Sequence, residues 1–192
     1  MTAALHRRAR PGRPNVRTGD RATDFGRERP PLPVTLVLDR LRSAFNVGNI
    51  YRLADAVGAA NIIACGYTPR PPHPKLDKTA RGCQELIATR HFQSAREAIQ
   101  YLHDGGVTVY GIETADGAVP VWELPVRFPA AFVFGNEALG VDPEALARCD
   151  ALGELPCRGF KNSINVGNCA AVVLYEALRR WRTNSQDDCK RS

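Results

Sequence analysis

Several common chemistries are missing from this sequence. Its six cysteines, Cys65, Cys83, Cys149, Cys157, Cys169 and Cys189, form no C-x-x-C pair and sit mostly in apolar company. They read as free thiols, and neither a disulfide framework nor a zinc site is offered. The four histidines, His6, His73, His91 and His103, have no metal-ligand spacing and lie away from the polar motifs described below, so no metal and no histidine base are expected. There is no G-x-G-x-x-G, and no glycine stretch ends in Lys-Ser or Lys-Thr; a dinucleotide fingerprint and a P-loop are both unsupported. Apolar runs stop far short of the roughly 20 residues that span a bilayer. The arginine-rich N-terminus is followed by no apolar stretch of the kind a secretory signal needs. No membrane partner and a cytoplasmic location are the expectations.

What is present suits one domain with an arm. A chain of 192 residues with 44% hydrophobic and 24% charged residues is ordinary for a globular protein. The net charge of +6 is concentrated, because residues 1–30 hold eight arginines against Asp20, Asp24 and Glu28 and so carry +5 of it. That segment has too little apolar surface to order itself by burial, and is read as a flexible basic arm suited to phosphate oxygens. Residues 31–183 are read as the domain and 184–192 as a short polar tail.

Short apolar, β-branched runs at 34–38, 61–65, 107–112, 130–134 and 151–155 read as buried strands. Helical patterns separate several of them: Ile50, Leu53, Ala54 and Val57 up to Gly58; 94–103, opened by the Ser94 and Glu97 capping box; and a short helix behind Asp142-Pro143. Strand, helix, strand within 34–65 is a βαβ unit, which requires parallel pairing. The expected class is α/β, an open and mostly parallel sheet with helices on both faces. Residues 66–82, with four prolines and Lys75, Lys78 and Arg81, read as a long exposed basic loop. From Ala170, apolar residues at Ala170, Val173, Leu174, Ala177, Leu178 and Trp181 mark one face of a long helix, with Asn162, Ser163 and Asn165 at its entrance. Asn162 or Ser163 is the expected cap.

Three polar motifs each follow a strand: Asn46-x-Gly48-x-x-x-Arg52, Gly135-x-Glu137-x-x-Gly140, and Asn162-Ser163-Ile164-Asn165. In an open parallel sheet ligands bind at the carboxyl edge, which places all three, with 112–114 beside them, around one concave site. Gly135 and Gly140 would let backbone approach a ligand. The tetrapeptide Asn-Val-Gly-Asn occurs at both 46–49 and 165–168, each time at a helix entrance.

In this order and spacing, and with Phe134 before the second motif and Leu155-Pro156 before the third, residues 34–182 resemble the SpoU (TrmH-like) class of RNA ribose 2′-O-methyltransferases of the SPOUT superfamily. The resemblance implies a homodimer whose C-terminal segment forms a deep trefoil knot holding S-adenosylmethionine. By position it implies a cofactor pocket built from Ile112, Glu113, Thr114, Gly135, Leu155, Ser163 and Ile164, largely through backbone groups. Arg52 matches the family's catalytic arginine, and Asn46, Glu137, Ser163 and Asn165 match its other polar site residues. Glu137 is expected to position Asn46 or Arg52, and the implied substrate is structured RNA, tRNA or rRNA. Two other readings stay open: a noncatalytic RNA-binding relative with the same fold, and a small-molecule-binding α/β protein.

Overall fold

A computed structural model describes residues 31–191, with side chains as far as residue 183. The basic arm lies outside the described residues. Seven strands, β1 (Leu32–Asp39), β2 (Ala59–Cys65), β3 (Ala88–Phe92), β4 (Thr108–Ile112), β5 (Val119–Pro120), β6 (Ala130–Phe134) and β7 (Ala151–Glu154), form one sheet in the order β3-β2-β1-β6-β4-β7-β5. Every pairing in it is parallel. The helices are α1 (Ala44–Val57), α2 (Pro74–Ala80), α3 (Cys83–Leu86), α4 (Ala95–Asp104), α5 (Pro143–Leu146) and α6 (Val166–Arg191).

Alternation along the central strands divides the core between two faces, as the pleat requires. Val34, Leu36 and Leu38 of β1, Tyr110 and Ile112 of β4, and Phe132 and Phe134 of β6 pack with Val47, Ile50 and Tyr51 of α1 and Ala170, Val173, Leu174 and Ala177 of α6. Val37, Val109, Ala131 and Val133 point the other way, onto Ala95, Ala98, Ile99 and Leu102 of α4 and Ala145 of α5. Helices therefore cover both faces, and strands buried on both sides read as continuous apolar runs. Arg180 fastens α6 to the 121–128 segment: its guanidinium donates to the Trp122 and Leu124 carbonyls and, at 2.7 Å, to Glu176.

Three features depart from the sequence reading. Within 66–82 lies helix α2, opened by His73, whose side chain accepts from the Leu76 N–H, and by Pro74 at the first position. Leu76 and Ala80 are fully buried. A Cβ on Gly48 would stand 2.0 Å from Thr79 Oγ1, so Gly48 lets α2 press against α1. Lys75 and Lys78 thus ride on a docked helix, with Arg81 at its C-cap. Second, strands β3 and β5 escape the sequence pattern, because β3 is half-exposed along its length and β5 has two residues. Third, α6 begins at Val166, capped by Asn165, which accepts from the Gly167 and Asn168 N–H groups at 2.9 and 3.4 Å. Neither Asn162 nor Ser163 caps it. The helix backbone continues to Arg191, into the segment read as a polar tail. The thiols of Cys65, Cys83, Cys149, Cys157 and Cys169 are free. No helix among the described residues is long and apolar enough to cross a membrane.

Candidate active site

The strand order places the motifs. β1, β6, β4 and β7 are consecutive neighbours, so the segments leaving their carboxyl ends, 40–46, 135–141, 113–114 and 155–165, converge at one edge.

The segment after β1 is built around a residue in an unfavourable conformation. Arg40 has φ 54, a left-handed value that side-chain-bearing residues seldom adopt. Its N–H donates to the Cys65 carbonyl at 3.3 Å and its carbonyl accepts from Asn136 Nδ2 at 2.6 Å. Its guanidinium pairs with Asp39 at 3.2 Å and Asp142 at 3.5 Å. Buried Asp39 also accepts from the Asp142 N–H at 2.8 Å, and buried Thr68 bridges the Leu38 carbonyl and the Leu41 N–H. Ser43 then caps α1 by accepting from the Asn46 N–H.

The segment after β6 folds on itself. Asn136 and Gly140 exchange backbone hydrogen bonds of 3.0 and 2.9 Å, while Asn136 Oδ1 accepts from the N–H groups of Ala138 and Leu139. A Cβ on Gly135 would lie 2.1 Å from the Val141 nitrogen and 2.2 Å from the Gly140 carbonyl carbon. The space at Gly135 is occupied by the chain's own backbone. Glu113, at the end of β4, closes the turn: its carboxylate accepts from the Val141 N–H at 3.0 Å and the Thr114 N–H at 3.1 Å. Asn136 and the carboxylate of Glu113 are thus structural members that motif spacing did not single out. The Gly-Asn-Glu turn was the available signal for Asn136, since asparagine often bonds the backbone two residues on.

Three of the expected site residues meet directly. Glu137 accepts from Asn46 Nδ2 at 2.8 Å and from the N–H groups of Ser43 and Arg42 at 3.1 and 2.9 Å. Asn46 Oδ1 accepts from Asn165 Nδ2 at 3.1 Å, and Asn165 Oδ1 takes the N–H groups at the start of α6. The chain has one polarity: a carboxylate can only accept and backbone N–H groups can only donate, so both asparagine amides are fixed in orientation. It staples the first turns of α1 and α6, whose Asn-Val-Gly-Asn repeats thereby touch. Gly167 lies against the Asn49 amide, 2.8 Å from where its Cβ would be.

Burial alone would push the Glu137 carboxyl up, but donors from Arg42, Asn46 and Ser43 outweigh it and hold the group below the usual carboxylate range. A depressed folded value stabilises the fold above the unfolded pKa, about 4.3, and that stabilisation is lost as pH falls through the folded value. The urea midpoint of Glu137→Gln should therefore trail the wild type by a constant margin above about pH 6 and converge on it in acid below about pH 4. Parallel curves throughout would contradict this assignment. Asn165→Ala removes a helix cap and leaves Asn46 Oδ1 without its donor, at a cost of about 1–2 kcal/mol in chemical denaturation.

Other expected residues are placed differently. Arg52 is exposed on α1, six residues and about 9 Å along the axis from Asn46. It makes no hydrogen bond or ion pair with another described residue, though its charge acts on Cys83. Glu137 contacts Asn46 and not Arg52. The side chains of Ser163 and Ile164 are exposed, Leu155 is half-buried and Ile112 is buried. Thr114 Oγ1 donates to the Asn162 carbonyl at 3.3 Å, tying the third loop to the end of β4.

That loop suits a nucleoside-like cofactor. No backbone–backbone hydrogen bond links residues 156–164 to other described residues, so apart from the Asn162 carbonyl, which Thr114 occupies, its amide and carbonyl groups are available to a ligand, beside the apolar Ile112, Leu155 and Ile164. An adenine needs such backbone donors and acceptors with flat apolar walls. Among the described residues no group of three or more His, Cys, Asp or Glu could hold a metal ion.

Comparison with known proteins agrees with this geometry. Residues 33–175 match the model of the SpoU rRNA Methylase family. A tRNA (guanosine(18)-2′-O)-methyltransferase of Thermus thermophilus is 33% identical over 147 residues, covering 77% of this chain and 75% of that protein. A 23S rRNA (guanosine-2′-O-)-methyltransferase of Pseudomonas syringae is 31% identical over 77% of this chain and 59% of its own length. The crystal structure of an AdoMet-bound rRNA methyltransferase from Sinorhizobium meliloti superposes with a TM-score of 0.72 at 28% identity, covering 79% of this chain and 60% of that one. The chain therefore spans three quarters of the first relative and about three fifths of the other two. With sheet order, motif placement and these relatives in accord, the chain belongs to the SpoU methylase family.

Proposed function

We propose that this protein transfers a methyl group from S-adenosylmethionine to a ribose 2′-hydroxyl of tRNA or rRNA, acting as a homodimer in the cytoplasm. The observation that carries the reading is the hydrogen-bond chain from Glu137 through Asn46 and Asn165 to the start of α6, which joins all three motifs beside a loop with free backbone groups. The cofactor would be held by Ile112, Thr114, Leu155, Ser163 and Ile164, in a C-terminal segment we take to be knotted. When bound it supplies an activated methyl on a sulfonium.

The protein's own part is alignment, which supplies much of the rate in such displacements. The oxygen–carbon bond forms as the carbon–sulfur bond breaks, and the 2′-hydroxyl proton leaves. Arginine is a poor base because its pKa exceeds about 12. Arg52 instead binds the phosphate next to the target ribose, and that phosphate takes the proton. Its lack of a partner among the described residues leaves its five N–H donors for this contact. Glu137 fixes Asn46 at the ribose and stays clear of the sulfonium, whose charge it would otherwise stabilise before transfer. A second copy is supported by Phe45 on α1 and Val172 and Tyr175 on α6, large apolar side chains left exposed.

The test is incubation with methyl-labelled S-adenosylmethionine and total RNA from a strain lacking the protein, followed by mapping of the label. A labelled ribose in tRNA or rRNA is expected. RNA that is bound but never labelled would favour the noncatalytic relative.

A further inference from the structure

The tip of the third loop has no role in the site as described. Phe160 is 99% exposed, the most exposed large apolar side chain among the described residues. Lys161 Nζ lies over its ring, 5.8 Å from the centroid, leaving the opposite ring face to solvent, and Arg158 and Lys161 flank it, both exposed. The loop is tied just beyond the tip, by the Asn162 carbonyl to Thr114 and by Asn165 to Asn46. An aromatic ring held in water on such a loop offers an apolar face for a planar partner to stack on.

We propose that Phe160 stacks on an unpaired base of the RNA next to the methylated ribose, with Arg158 and Lys161 holding the phosphates on either side. This rests on the reading of the protein as an RNA methyltransferase. Three observations favour a nucleobase over the apolar surface of a second copy. Basic residues stand on both sides of Phe160 along the chain, at Arg158 and Lys161, whereas lysine is depleted in the cores of protein interfaces. An aromatic ring between basic side chains is how unpaired bases are gripped, through stacking that tolerates any base and charge that follows the backbone. The tip also stands on the loop proposed to hold the cofactor, where the target nucleotide must arrive.

The test uses the full-length protein as wild type, Phe160→Ala and Phe160→Tyr. Affinity is read by fluorescence anisotropy for an unmodified tRNA transcript, a twelve-nucleotide oligouridylate and a fully paired RNA duplex of equal length. Phe160→Ala should bind the transcript and the oligouridylate about 10- to 100-fold more weakly, the loss of one stacked base. Binding to the duplex should be unchanged and Phe160→Tyr should restore the loss. S-adenosylmethionine affinity by calorimetry and association state by light scattering should not move. The proposal is overturned if the three RNAs lose affinity equally, if none does, if wild type binds none of them, or if the loss follows weakened cofactor binding or a broken dimer. Failure of the enzymatic reading is separately visible, because a wild type that never transfers methyl could still show the Phe160-dependent preference for unpaired RNA.

Discussion

Arg52→Ala is expected to lower methyl transfer by about 10²–10³-fold, the usual cost of removing one charged or donor group that stabilises a transition state, while leaving S-adenosylmethionine affinity and thermal stability unchanged. Stability is spared because Arg52 is exposed and neither hydrogen-bonded nor ion-paired to another described residue, and alanine is the better helix former. The activity falls because an arginine fork can clamp a phosphate through two parallel bonds. Arg52→Lys should recover only part of the rate, since a lysine keeps the charge and loses the fork. Single-turnover transfer and calorimetric cofactor binding, measured on the same preparations, separate the two effects. Near-full transfer by the alanine variant would remove Arg52 from the mechanism.

Gly135→Ala should destabilise the fold by more than about 4 kcal/mol, in the range reserved for severe defects. For a domain of this size that is a fall of about 10 °C or more in Tm. The new methyl would collide with backbone, 2.1 Å from the Val141 nitrogen and 2.6 Å from the Gly140 carbonyl oxygen. Neither neighbour is free to withdraw. Val141 donates to Glu113, Gly140 is bonded twice to Asn136, and Asp142 donates to buried Asp39. If the loop shifts to relieve the clash, Asn136 releases the Arg40 carbonyl and Glu137 loses its register with Asn46. Transfer activity should therefore fall even below the melting temperature. A calorimetric Tm within about 2 °C of wild type, less than 1 kcal/mol, would show the loop to be more pliant than its hydrogen bonds imply.

The sequence alone determined the class of fold and which strand ends carry the three polar motifs. Buried strands announce themselves as apolar β-branched runs because both sheet faces are covered, and the long α6 face repeats with helical spacing. The three motifs could be placed at one edge because each follows such a run. The tertiary structure decided what local pattern does not encode. Residues 74–80 become a helix because Leu76 and Ala80 find a seat against α1, which Gly48 makes possible and which lies about 30 residues away along the chain. Strand β3 exists because β2 offers it a free edge, and its own half-exposed residues carry little periodic signal. The cap of α6 falls on Asn165, the residue that can also reach Asn46, 119 positions away. The Gly135 to Gly140 stretch, legible as a ligand-approach motif, is first a turn packed on itself. Partners so far apart in sequence are selected by the strand order β1-β6-β4-β7, which brings four chain segments to one edge. Composition and spacing set which residues are available, and only the folded sheet sets which of them touch.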